Sequence, residues 1–216
     1  MHEFENQGER TQPTERRWSD SGWYPSPVKS LPLPPSFPSR WFIATALFLI
    51  LAMADWHGQI DDVFITLGFS AQWWETGRLT WTNGEIVEGY SNPLWMVLGI
   101  IPIALSIDPS VFLQVISMMC AVGLLGLLAH RLTGWIGLGV LLLTATAEPI
   151  AWWGAMGMET AAFALAIAIG WIHIGSPMTC TWALLTASLL RPEGHAHYLA
   201  ATAILILRRD RNLTPA

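Results

Sequence analysis

The chain has 216 residues, of which 52% are apolar and 12% are charged, and its net charge is −5. This composition is too apolar for an ordinary soluble domain, and the sequence contains no basic patch of the kind that binds nucleic acid. Its 13 tryptophans fit a membrane protein, because indole rings favour the membrane–water interface. The sequence therefore predicts an all-α integral membrane protein.

The N-terminal stretch is polar and rich in proline. Such a composition buries too little apolar surface to fold, so we predict a disordered tail over residues 1–40. Lys29 and Arg40 precede the first apolar run, which starts at Trp41, and an acidic loop follows that run. By the positive-inside rule, this arrangement places the tail in the cytoplasm and the loop outside.

The long polar interval at residues 55–95 carries six of the chain's 16 carboxylates. Asp61 and Asp62 suit the first turn of a helix, and Gly77 suits its end. Apolar residues at helical spacing between them predict a short amphipathic helix that lies on the membrane surface. Its predicted apolar face consists of Ile60, Phe64, Leu67, Ala71 and Trp74.

Six further apolar segments follow, at about residues 93–107, 111–130, 135–147, 160–174, 177–190 and 195–207. The predicted transmembrane module covers residues 41–207, and a second cytoplasmic tail, with three arginines, covers residues 208–216. Two cytoplasmic ends require an even number of crossings, whereas seven segments are an odd number. One of the two segments between Pro93 and Arg131 is therefore predicted to be re-entrant or interfacial.

Two adjacent carboxylates in the long loop are candidates for chemistry. Asp61 and Asp62 suit a general base, or, together with His57, a metal site. They also suit ordinary helix N-caps, where carboxylates meet free backbone amides.

Two later polar clusters share the external face with that loop on this topology. Glu159 is flanked by apolar segments, where an ionisable group is costly, and it is either functional or the N-cap of the next helix. Arg191 and Glu193 are either functional or a local ion pair.

The loop as a whole is more specific than its parts. It reads DDVFITLGFSAQWWETGRLTWTNGEIVEGYSNPLW and resembles the first external loop of bacterial GT-C membrane glycosyltransferases. The likeness is to the branch that includes the mycobacterial terminal β-(1→2)-arabinofuranosyltransferase. GMET at residues 157–160 and RPEG at residues 191–194 are similar to two later motifs of that family, in the same order.

The resemblance implies a GT-C-type multi-span helical bundle in the plasma or inner membrane. It implies transfer of a sugar, with arabinofuranose or mannose as guesses, from a polyprenyl-phosphate donor to a glycan, lipid or protein acceptor in the cell envelope, with inversion. Asp61 is then the first choice for the general base and Asp62 the second, and Arg191 is the cation for the leaving phosphate. The resemblance leaves open whether Asp62 and His57 bind a divalent metal, Mg²⁺ or Mn²⁺. The expected substrate-binding residues are Glu85, Glu88, Tyr90, Asn92, Glu159, Arg191 and Glu193.

Two departures from the family pattern keep other functions open. Gly68 stands where the family has an arginine, and the likeness covers only the N-terminal half of a typical member. The chain is thus alternatively an inactive or truncated half-enzyme, or an accessory subunit that a second polypeptide completes. A small transporter, whose carboxylates carry ions or protons, is the second alternative.

Overall fold

The computed structural model describes residues 36–211, apart from residues 55, 57, 59, 82, 83 and 88, and it describes no side chain beyond Arg208. The predictions for the tail up to residue 35, for His57, for Glu88 and for residues 212–216 lie outside the described residues. Within the described part every regular element is an α-helix, as the sequence predicts. The helices are α1 (Phe37–Ala54), α2 (Asp61–Thr76), α3 (Pro93–Ala104), α4 (Pro109–Arg131), α5 (Gly134–Thr146), α6 (Glu148–Ala155), α7 (Thr160–Ile172), α8 (Pro177–Leu190) and α9 (Gly194–Arg211).

Two of the described helices, α1 and α4, are long and apolar enough to cross a membrane. At 1.5 Å per residue they extend about 27 Å and 35 Å, close to the ~30 Å of a hydrocarbon core. The pair α5 and α6, bent by 41°, makes a third span if it is counted as one. Helices α3, α7 and α8 are apolar but shorter, with 12, 13 and 14 residues. The structure thus supports an α-helical membrane protein with two or three candidate spans, where the sequence predicts six crossings.

Helix α4 is the centre of the bundle. It packs against α1, α2, α3, α5, α6 and α7, while α8 packs between α7 and α9. Its start is set by Asp108, whose Oδ1 accepts hydrogen bonds from the amides of Ser110 (2.9 Å) and Val111 (3.2 Å). Pro109 fits the first helical position because its missing N–H would have no partner there. These contacts fix the position at which α4 begins.

Helix α2 begins at Asp61 and is capped by Gly77, so its predicted bounds are confirmed. Gly77 has φ +71° and donates its amide to the Trp73 carbonyl, a conformation that glycine adopts without strain.

The buried face of α2 differs from the predicted one. Phe64 and Trp74, predicted on the apolar face, are 49% and 55% exposed. The polar residues Thr66 and Ser70 are buried instead, and Ser70 Oγ lies 2.7 Å from the Met96 carbonyl in α3. Leu67 of the predicted apolar face is buried, and the exposure of Phe64 and Trp74 agrees with a face that contacts the membrane. The face that packs on the protein also includes hydroxyls, which can be buried at low cost where they find partners.

Two predicted boundaries are wrong by about one helical turn. Helix α1 begins at Phe37 and not at Trp41, so Arg40 belongs to its first turn and is only 6% exposed. Arg40 is buried because its Nη1 donates to the Leu132 carbonyl at 2.7 Å, beyond the end of α4. Helix α9 likewise continues to Arg211, into the predicted second tail.

The helix ends gather at two opposite places. At the first, Gln114 Nε2 donates to the Trp56 carbonyl at 3.1 Å, and Ser117 Oγ donates to the Met158 carbonyl at 2.6 Å. We call this the cavity end. At the second, which we call the basic end and define by Arg40, His130, Arg131 and His173, Arg131 Nη2 lies 3.1 Å from His173 Nε2.

Candidate functional site

A polar cavity of about 180 Å³ lies at the cavity end. It is smaller than a typical drug-sized pocket of roughly 300–1,000 Å³, so it suits a group no larger than a single small ring. Three separate parts of the sequence form it: the start of α2 with the end of the long loop, the GMET turn, and the end of α8. Its lining residues are Asp62, Ile65, Thr66, Gly89, Tyr90, Ser91, Asn92, Met158, Glu159 and Arg191.

Glu159 is the buried carboxylate of this cavity, with 3% of its surface exposed. It immediately precedes α7, as the N-cap alternative predicts, but its side chain makes no cap hydrogen bond. Its Oε2 accepts a hydrogen bond from Asn92 Nδ2 at 3.0 Å, and its Oε1 lies 3.7 Å from Arg191 Nε. A buried charge needs such partners, so these two contacts, and not a cap hydrogen bond, stabilise the carboxylate of Glu159.

Asn92 joins two helices and the buried carboxylate. It stands before α3 without a side-chain cap bond, because its amide is used elsewhere. Besides donating to Glu159, its amide lies 3.3–3.4 Å from Thr66 Oγ1, which lies 3.1 Å from the Asp62 carbonyl oxygen. Substitution of Asn92 would therefore remove contacts both to Glu159 and to Thr66 near the start of α2.

Arg191 supplies a positive charge to the cavity, and side-chain oxygens of Glu159, Thr160 and Glu193 lie near its guanidinium. It follows α8 in an extended conformation, as expected for a residue before proline. Nη1 donates to Thr160 Oγ1 at 3.3 Å, and Nη2 lies 3.5 Å from Glu193 Oε1, so the predicted local ion pair is also present. The guanidinium lies 5.9 Å above the ring of Phe163. About a third of the side chain stays exposed, which leaves it accessible to a ligand.

The backbone of the GMET turn favours glycine at position 157. The φ of Gly157 is +82°, and an added Cβ would lie 3.1 Å from the backbone nitrogen of Gln114. Its carbonyl accepts a hydrogen bond from Trp95 Nε1 at 3.0 Å. The turn is thus pressed against α3 and α4, and this contact places Glu159 two residues later in the cavity.

Aromatic rings support one wall of the cavity. Tyr90, which lines it, meets Phe69 edge-on at 5.0 Å between centroids, and Phe69 lies 5.1 Å from Trp81. A Cβ on Gly89 would lie 3.0 Å from the Phe69 ring, so a larger residue there would crowd the ring. Residues 89–92 (GYSN) therefore provide both a close backbone contact and an aromatic surface.

An apolar groove of about 270 Å³ lies between α3, α4, α7 and α8. Trp95, Ala162 and Leu190 line it, each within three residues of a cavity-lining residue. The groove is otherwise almost entirely apolar, with Leu94, Leu98, Ile116, Cys120, Leu165, Ala166, Ile169, Ala183 and Thr186. Three of the helices that line the groove, α3, α7 and α8, therefore have one end at the polar cavity.

Several predicted site residues are not in the cavity. Asp61 is exposed and does not line it, whereas its neighbour Asp62 does. Glu85 also lies outside the lining, and Glu193 reaches it only through Arg191. Among the described residues no group of three or more metal-binding side chains is present.

Sequence reasoning missed Thr66 as a cavity residue. Thr66 lies four residues after Asp62, hence on the same face of α2, and this spacing is the signal that could have found it.

Gly68, where the family pattern has arginine, does not line the cavity. It lines a separate shallow groove with Asp108 and Ser110, and an added Cβ would meet only the Trp81 ring, at 3.4 Å. No protein-family model, curated protein or solved structure matches this chain.

Proposed function

We propose that the chain is a GT-C-type membrane glycosyltransferase that moves a sugar from a polyprenyl-phosphate donor to an acceptor on the external face of the plasma or inner membrane. The observation that carries this proposal is the meeting of the three sequence motifs in one polar cavity. Nothing in the local sequence requires residues 62, 92, 159 and 191 to come together, and a glycosyltransferase site explains why they do.

The chemistry of the cavity fits a sugar. Carboxylate, amide and hydroxyl groups hydrogen-bond to sugar hydroxyls, and Tyr90 offers an aromatic face to the ring. The cavity volume of about 180 Å³ suits one monosaccharide rather than an oligosaccharide. The adjoining apolar groove suits the first prenyl units of a lipid carrier, because the carrier's phosphate would then lie where groove and cavity meet.

We assign the general base to Asp62 rather than to Asp61, because Asp62 lines the cavity. An acceptor hydroxyl has a pKa far above neutrality, and a carboxylate that removes its proton during attack lowers the barrier. Arg191 faces the developing charge on the leaving phosphate. Glu159 and Asn92 hold Arg191 and the start of α2 in place.

The charge balance of the cavity favours a divalent metal. Arg191 already faces two carboxylates, Glu159 and Glu193, and Asp62 adds a third negative charge. A phosphate entering this site needs further positive charge, which a Mg²⁺ or Mn²⁺ ion bound to the donor phosphate would supply, with Asp62 left free to act as the general base. We therefore expect transfer to depend on divalent metal.

A transfer assay tests the proposal. The purified chain in detergent is incubated with a panel of radiolabelled polyprenyl-phosphate sugars and membrane acceptor, with and without chelator. We expect Asp62→Asn to lower the rate at least about 100-fold, since a general base contributes roughly 10²–10⁴. Asp61→Asn is the matched control and should keep most of the activity.

Other outcomes of the same assay are decisive. Loss of transfer in Asp61→Asn with activity kept in Asp62→Asn would reverse our assignment of the base. A folded chain that binds donor but transfers none of the sugars would refute the enzymatic proposal and favour a non-catalytic subunit. Ion flux in vesicles without sugar transfer would favour a transporter.

A further inference from the structure

The basic end of the bundle has a charge pattern that the proposed function does not explain. The start of α1 and the ends of α4 and α7 meet there and supply Arg40, His130, Arg131 and His173. The cluster is tightly connected: Phe37 meets the His130 ring edge-on at 5.7 Å, and Arg131 bridges to α7. Three helices therefore bring basic side chains together at this end, with those of α4 and α7 at the surface and Arg40 of α1 buried behind them.

No carboxylate compensates these charges among the described side chains. Both ion pairs found there involve Arg191, at the opposite end of the bundle. Arg131 contacts an imidazole nitrogen, and the other ring nitrogen of His173 lies 2.9 Å from the Ile169 carbonyl. Neither contact involves a carboxylate, so the charge of Arg131 is left uncompensated among the described side chains.

Arg40 adds a buried positive charge behind this surface. Its Nη1 and Nη2 donate to the Leu132 and Ala129 carbonyls, at 2.7 Å and 3.4 Å. Its Nε is buried without a hydrogen-bond partner among the described residues. The carbonyls at the end of α4 carry only about half a negative charge, which leaves part of the guanidinium charge uncompensated.

The rim of the surface is apolar and suited to a membrane interface. Trp135 is 46% exposed, Ile136 is 85% exposed, and Phe37 is 39% exposed. Aromatic side chains of this kind lie at the level of lipid headgroups, with aliphatic ones next to the acyl chains. Basic groups bordered by such side chains match a lipid that has an anionic headgroup.

We propose that the basic end binds the headgroups of anionic phospholipids, with His130 and Arg131 contacting the phosphate. Both residues are exposed, whereas Arg40 raises the positive potential from behind without touching the lipid. This site is separate from the polar cavity, so it stands whether or not the chain transfers sugars. A basic residue near an anionic membrane surface contributes about 1 kcal/mol, which is roughly a fivefold change in binding.

Native mass spectrometry of the full chain tests this proposal. The chain is reconstituted into vesicles of equal parts phosphatidylcholine and phosphatidylglycerol, and the lipids that it retains on release are counted. We expect retained phosphatidylglycerol to exceed phosphatidylcholine in the wild type, and the bias to fall about fivefold in Arg131→Gln. Arg131→Lys should keep most of the bias, because it keeps the charge.

Arg78→Gln is the matched control, since Arg78 is an exposed arginine that follows α2 and does not belong to the basic end. Equal retention of the two lipids by the wild type, or the same loss of bias in Arg78→Gln as in Arg131→Gln, would overturn the proposal. Inorganic phosphate added at millimolar concentration should not displace the lipid; displacement would assign the site to a free anion instead. The control is the melting temperature of each variant in detergent. If it equals that of the wild type, the loss of phosphatidylglycerol preference is a local effect of the substitution.

Discussion

The cavity end and the basic end of the bundle treat buried charge in opposite ways. At the cavity end, Glu159 is buried against an arginine and an amide, and each of its two oxygens has a side-chain partner. At the basic end, Arg40 is buried against backbone carbonyls, without an ion pair among the described residues. The first arrangement fixes a set of functional groups around a cavity, whereas the second fastens helix ends and leaves net positive charge on the surface.

This difference indicates which kind of function each end suits. A paired and mostly satisfied network has defined geometry, which catalysis and specific binding require. A cluster of one sign has little geometric definition but creates a field, which suits contact with a charged membrane surface. Substitutions at the cavity end should therefore change both stability and ligand binding, whereas substitutions at the basic end should cost less stability, change lipid preference and leave ligand binding at the cavity unchanged.

The largest expected effect on stability comes from Gly157→Ala at the cavity end. Residue 157 has φ +82°, and the new Cβ would lie 3.1 Å from the backbone nitrogen of Gln114. Strain and crowding together should cost about 2–3 kcal/mol, measured as a lower unfolding midpoint in detergent. Gly139→Ala, in α5 with no atom near the new Cβ, is the matched control and should be neutral or slightly stabilising. Equal midpoints for the two variants would mean that the GMET turn is not constrained as described.

A smaller effect is expected from Asn92→Ala. The change removes the hydrogen bond to Glu159 and leaves a buried carboxylate oxygen without that donor, which should cost about 2 kcal/mol. Donor binding should weaken as well, because Glu159 and Thr66 lose their common partner. Thr202→Ala, at an exposed position on α9 outside the cavity lining, should change neither quantity by much. A stability loss without any change in donor binding would make Asn92 a purely structural residue.

The smallest of the three effects is expected at the basic end, from Arg40→Met. The substitution keeps length and apolar contact but removes the donors to the carbonyls that follow α4. We expect a loss of about 1 kcal/mol in thermal unfolding, with unchanged donor binding at the distant cavity. Arg131→Met, at an exposed position, should cost less than about 0.5 kcal/mol. If the exposed variant were the less stable one, the contrast between buried and surface charge at this end would fail.

Predictions from the sequence succeeded where a local signal sets local structure. Helix α2 starts at two aspartates and stops at Gly77, because carboxylates favour a helix start and glycine favours the left-handed cap. The N-cap position of Glu159 and the local pair of Arg191 with Glu193 follow from the same short-range rules. The buried face of α2 could not be predicted in this way, since Thr66 and Ser70 find their partners in distant segments.

The sequence by itself determined an all-helical membrane protein, the bounds of α2 and the candidate residues of the long loop. Composition, capping and turn residues act over a few positions, and they can be read without knowing what lies nearby in space. Only the tertiary structure decided that Asp62, and not Asp61, faces the cavity, and that Asn92 joins Thr66 to Glu159. Those contacts connect residues that are 26 and 67 positions apart, and their geometry depends on how the helices pack against one another.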